Sequence, residues 1–132
     1  MSQENVDAVR RAYEASHRRD VESLRSFAAP TFRCYDRPDR PDRGTYRGPD
    51  GFVRLLEDDL EVFDNYRTEP ELFVDAGDGV VVRVRQVGRG RSSGMSVEER
   101  IAHLWRLQDG RATELRIYST MSQALEAAGL SE

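Results

Sequence analysis

His103 carries the most chemistry in this sequence. Residues 96–107, SVEERIAHLWRL, alternate like a β-strand, placing Val97, Ile101, His103, Trp105 and Leu107 on one face, broken only by Glu99. Glu98, Arg100, Leu104 and Arg106 take the other face. An imidazole between isoleucine and tryptophan on an apolar strand face can act as acid, base or hydrogen-bond donor near neutral pH. The plainer alternative is a core histidine satisfied by one partner. Asp36 is the candidate base. It ends a short strand pattern, residues 31–36, in which it shares a face with Phe32 and Cys34. Its alternative is a turn-initiating aspartate before Arg37-Pro38, bonded to nearby backbone.

Other reactive residue types offer less. Cys34 is expected to be a small buried filler. His17 falls near a helix C-terminus, where a cation is favourable and exposed. Two histidines and one cysteine scattered along the chain do not make a zinc site, so no metal is expected. All 20 basic residues are arginine, which excludes Schiff-base catalysis by lysine. The glycines of residues 88–94 lie between two strands, so they serve a hairpin and not a phosphate cradle.

These side chains need a scaffold, and 132 residues allow one domain with a sizeable core. The formal net charge of −4 gives no electrostatic footprint for nucleic acid or an anionic membrane. A single cysteine permits no intrachain disulfide, which fits a reducing cytoplasm. The polar N-terminus lacks the apolar core of a signal peptide, and no run of residues is apolar enough for a membrane span.

Residues 4–19 have helical spacing, with Val6, Val9, Ala12, Tyr13 and Ser16 along one side. Asp20 reads as the N-cap of a second helix that buries Val21, Leu24 and Phe27 and stops at Pro30. After the 31–36 strand, Arg37-Pro38-Asp39-Arg40-Pro41-Asp42-Arg43-Gly44 reads as an exposed loop with solvated charges. Gly48-Pro49 opens a third helix with a core stripe of Phe52, Leu55, Leu56, Leu60 and Phe63. The acidic residues Glu57, Asp58, Asp59 and Glu61 read as its solvated face. The period then switches to two for strands at 66–76, 80–91, 96–107 and 111–119, with Pro70 marking an edge strand or an irregular start. Val80, Val82, Val84 and Gln86 share one face of the second of these. Thr120 to Gln123 matches a capping box for a last helix, and Gly129 its C-cap. The order is ααβαββββα. It predicts an α+β cone in which helices cover one face of a curved antiparallel sheet, leaving a pocket at the open end.

This order, together with four local marks, resembles the SnoaL-like branch of the nuclear transport factor 2-like superfamily. The marks are Val9-Arg10-Arg11-Ala12-Tyr13-Glu14-Ala15 followed by Asp20, Tyr46-Arg47-Gly48-Pro49-Asp50-Gly51, Ala76-Gly77-Asp78, and His103-Leu104-Trp105-Arg106-Leu107 with Asp109-Gly110-Arg111. The branch includes ketosteroid isomerases, polyketide cyclases and limonene epoxide hydrolases. The resemblance spans nearly the whole of residues 1–132 and implies one SnoaL-like domain. It aligns Asp36 with the isomerase general base and places Tyr13 close to the oxyanion-hole tyrosine, one residue short in its spacing to Asp20. His103 falls where the isomerases keep a protonated aspartic acid. The epoxide hydrolase pattern is absent, because Arg100 is followed two residues later by Ala102.

The expectation is therefore an isomerase- or cyclase-type enzyme that needs no cofactor and abstracts a proton next to a carbonyl. Asp36 would be the base, with His103 and Tyr13 stabilising the enolate oxygen. Phe32, Phe52, Leu56, Val82, Trp105 and Ile117 would wall a pocket for a small apolar or carbonyl-containing ligand. The alternative is a non-catalytic ligand-binding or assembly domain on the same fold. Arg83, Arg85, Arg100, Arg106 and Arg116, with Glu98, Glu114, Leu104 and Tyr118, would form an outer sheet face. The resemblance implies homodimerisation through it.

Overall fold

The computed structural model describes residues 2–37 and 46–130. Its elements are α1 (Ser2–Arg18), α2 (Val21–Phe27), β1 (Ala28–Tyr35), β2 (Tyr46–Arg47), α3 (Gly48–Val62), β3 (Phe63–Asp75), β4 (Gly79–Gly90), β5 (Ser96–Gln108), β6 (Arg111–Tyr118) and α4 (Met121–Ala127). The expected order holds, with the two-residue β2 added before α3. Most of the loop expected at residues 37–44 lies outside the described residues. Among the described residues, no helix is long and apolar enough to cross a membrane.

The sheet runs β2-β1-β6-β5-β4-β3. β3 to β6 form the antiparallel meander that the alternating patterns predict. β1 joins it by pairing parallel to β6, Cys34 beside Leu115. β3 is an edge strand, and its register shifts between Pro70 and Leu72, which accommodates the missing proline N–H.

Local signals set most helix ends. Arg19, at φ 58°, turns the chain out of α1, and the Asp20 carboxylate then accepts from the Ser23 backbone N–H at 3.2 Å to start α2. Gly48 takes φ 68°, a left-handed conformation, and Pro49 occupies the first turn of α3. Pro30 does not stop α2. The helix ends at Phe27 because Ala28 is already extended, and Pro30 sits inside β1 where the β1–β6 register is irregular, so no ladder bond asks for its N–H.

The core lies between the sheet and α1–α3, with Val9, Phe32, Val80, Val82, Val84 and Leu115 fully buried. The helices do not all cover one face. α4 packs on the opposite face, where Ala124 closes over Val81, Ala102 and Leu104. The capping box at Thr120 starts the helix just beyond β6, and the packing of Val81, Ala102 and Leu104 selects the face. Leu104, expected on an open outer face, is consequently 0% exposed.

Candidate functional site

β5 delivers His103 and Trp105 to the inner sheet face, and α1 lays Tyr13 across both. The Trp105 indole N–H donates to the Tyr13 hydroxyl oxygen at 2.9 Å, and that hydroxyl lies 2.6 Å from His103 Nδ1. The Tyr13 ring stacks on the imidazole at 6° and meets the indole edge-on at 89°. An indole N–H can only donate, so the phenol oxygen accepts there; the phenol must still place its own proton, and Nδ1 at 2.6 Å is the acceptor within reach. This network assigns the proton of the neutral imidazole to Nε2. Burial pushes His103 down to about 4 and pushes the Tyr13 phenol up, so both are uncharged at neutral pH.

These groups line a cavity of about 80 Å³. Asp36, Tyr13 and His103 all border it, with Phe52, Leu56, Trp105 and Ile117 as apolar wall. Phe32 and Val82 do not reach it. Phe32 packs behind Phe52 at 5.1 Å between ring centroids, and Val82 is fully buried between His103 and Phe73 in the sheet ladder.

Asp36 lies just past the end of β1, half-buried. Its Oδ1 accepts the Arg37 backbone N–H at 2.7 Å, the local bond of a turn-forming aspartate, while the side chain still borders the cavity. Arg37 corrects the expectation of a solvated loop. It is 8% exposed, lines the cavity, and donates to Glu99 Oε2 at 2.8 Å. That pair also accounts for Glu99, the one charge on the apolar face of β5.

Sequence reasoning missed a second polar group in the same cavity: Asp59, Tyr66, Thr68 and Gln86. Gln86 donates to the Tyr66 hydroxyl oxygen at 2.7 Å, and Tyr66 hydrogen-bonds in turn to the Asp59 carboxylate. Burial and the charge of Asp59 together push the Tyr66 phenol up. The acidic run of α3 is therefore not all solvated face. Asp58 accepts from the Tyr46 hydroxyl at 2.5 Å, and Asp59 turns inward. The signal was present, since Asp59 lies seven residues after Phe52 and three after Leu56, on the apolar stripe itself. Its charge type obscured it. Among the described residues, no three histidine, cysteine, aspartate or glutamate side chains converge as a metal-binding group. Cys34 is fully buried in the core, and His17 is exposed, with Nε2 2.6 Å from the Thr68 carbonyl oxygen.

Residues 9–115 match the SnoaL-like domain family. The chain belongs to that family. Solved structures agree along nearly its whole length. A nuclear transport factor 2-like protein from Burkholderia thailandensis is 31% identical, with a TM-score of 0.79 over 92% of this chain and 96% of its own. Another, from Burkholderia pseudomallei and of unknown function, is 26% identical at a TM-score of 0.79, covering 96% and 97%. A Jannaschia protein named as a SnoaL-like polyketide cyclase shares the fold at 22% identity and a TM-score of 0.79, covering 97% and 92%. No curated protein matches the chain. This SnoaL-like domain thus shares its architecture with a protein named as a polyketide cyclase and with one of unknown function, and its own cavity must supply the argument for what it does.

Proposed function

We propose that this SnoaL-like domain is a small-molecule enzyme of the isomerase or cyclase type, abstracting a proton next to a carbonyl without a cofactor. One observation carries the reading. The Trp105–Tyr13–His103 hydrogen-bond chain offers a neutral imidazole Nε2–H in a largely apolar cavity that Asp36 also borders. The Asp36 carboxylate takes the proton from the carbon beside the carbonyl. The C–H electron pair moves into the new C=C bond, and charge develops on the carbonyl oxygen. The Nε2–H donates a hydrogen bond to that oxygen, and its own proton stays in place. Asp36 then returns the abstracted proton to another carbon, or the enolate carbon attacks a second carbonyl, whose π electrons pass to its oxygen, and that oxygen takes the proton from Asp36. Tyr13 positions the ring and fixes its tautomer. Polyketide cyclisation, the activity in one neighbour's name, is a reaction of this class.

The test measures the first step directly. In deuterated water the protein should accelerate hydrogen–deuterium exchange beside the carbonyl of cyclohexanone or phenylacetone, read by NMR. Asp36→Asn should lower that rate at least ~100-fold, the range of general-base contributions. Equal rates in the two proteins would overturn the role of Asp36. The second reading is a ligand-binding domain without chemistry, favoured by the bond from Asp36 to its own neighbour's N–H. Saturable ketone binding with no exchange would establish it. We further propose a cytoplasmic homodimer joined through the sheet face opposite the cavity.

A further inference from the structure

The cavity is small for a whole ligand. A cavity of ~150 Å³ holds one benzene ring, so about 80 Å³ takes only the few atoms around a reacting carbonyl. The rest of a larger ligand lies outside it, and the sheet steps down beside it. β1 ends at Tyr35, whose partner on β6 is Arg116. β6 runs on to Tyr118, and among the described residues no strand covers Ile117 and Tyr118 on that side. Asp36 and Ile117 stand at this step. Both border two hollows, the cavity on the inner face and a groove of about 580 Å³ on the outer one. Tyr35, Arg116 and Tyr118 form the sheet side of the groove, and Gln123, Glu126 and Ala127 of α4 form the other. The Arg116 guanidinium lies 4.2 Å from the centre of the Tyr35 ring, and its Nε donates to Glu114 at 3.0 Å, which fixes it there. A phenol and a guanidinium so held offer flat surfaces on which a planar group stacks.

Taking this cavity as the ligand site of the proposed function, we infer that the ligand is a carbonyl compound in two parts: its carbonyl head enters the cavity, and an aromatic tail passes Asp36 and Ile117 into the outer groove, against Tyr35 and Arg116. Tyr35 is the specificity-determining residue, and α4 supplies the far wall. A compound with the head alone leaves the groove to water. A ring in the groove removes apolar surface from water, a gain the head alone does not make.

The chain's single tryptophan, Trp105, lines the cavity, so its fluorescence reports occupancy without requiring turnover. Acetone presents the head alone, and phenylbutyl methyl ketone carries the same head on an aromatic tail. The tailed ketone should bind at least about tenfold tighter than acetone. Tyr35→Ala should reduce that advantage at least about fivefold. Ala127→Phe, which fills the groove from α4, should do the same. Acetone should bind both variants as it binds the wild type, which shows that they are folded. Were Tyr35→Ala to unfold, Ala127→Phe would decide alone. Binding is read without exchange, so a protein that binds the tailed ketone but exchanges no protons loses the catalytic reading and keeps this one. A protein that exchanges protons on both ketones with equal affinity for them loses this one. Equal binding by the wild type, an advantage that survives in a folded variant, or no detectable binding of the tailed ketone would each overturn the inference.

Discussion

Tyr13 acts as a relay between two buried partners, and its hydroxyl is the group both depend on. Tyr13→Phe leaves the Trp105 indole N–H and His103 Nδ1 without their shared partner. Urea unfolding should show a loss of about 1–3 kcal/mol, the cost of stranding buried polar groups. Ring-nitrogen NMR should also show His103 losing its exclusive Nε2–H tautomer. Protonation of His103 gives a separate signature. The ring is neutral in the fold down to about pH 4, whereas the unfolded chain takes up the proton near pH ~6.5. Between these values the unfolded state binds more protons, so stability rises with pH through that window and is flat above it. The span amounts to on the order of 3 kcal/mol. His103→Gln should flatten the stability profile across the window, and an unchanged slope would count against the assignment. The alternation of residues 96–107 made the inward face of His103 legible. The identity of its partner was not, because Tyr13 lies on a distant helix and spacing along one element says nothing about the other.

Strand and helix patterns were legible wherever one face was buried. The meander, the caps at Asp20 and Thr120, and the edge position of β3 all follow from local residue types. The placement of α4 does not, since a short helix with a single fully buried alanine can dock on either sheet face. Only the packing of Val81, Ala102 and Leu104 decides it. Contacts between elements also explain Gly79, which begins β4 directly against the Trp105 carbonyl. A Cβ at this position would overlap that backbone oxygen. Gly79→Ala should therefore push β4 from β5 and lower stability by about 1–3 kcal/mol, the usual cost of overpacking. The matching observation is a shift in Trp105 emission alongside a lower Tm; an unaltered emission spectrum would show that the strands absorb the methyl without moving.

At the scale of the molecule, the face opposite the cavity divides in two. α4 covers one part. The remainder, on β3–β5, is laced by ion pairs: Arg85 with Glu69 and Glu98, and Arg83 and Arg100 with Glu71. Alternating positive and negative groups can meet a second copy of themselves across a two-fold axis. The proposed dimer should elute with twice the 15.1 kDa chain mass in light scattering. Arg85→Glu together with Arg100→Glu should return it to the monomer mass, and a wild-type monomer would refute the interface.

The parallel pairing of β1 with β6 has a consequence for synthesis. Asp36 follows the first strand, and Ile117 lies on the last meander strand. As the chain leaves the ribosome, N-terminal first, β3, β4 and β5 can zip as they appear, but the wall that joins Asp36 to His103 waits for β6. Until then Phe52 and Trp105 lack part of their cover, and no ligand can be enclosed. Nascent chains ending before residue 111 should therefore remain clients for chaperones, and the cavity should close only once β6 has emerged.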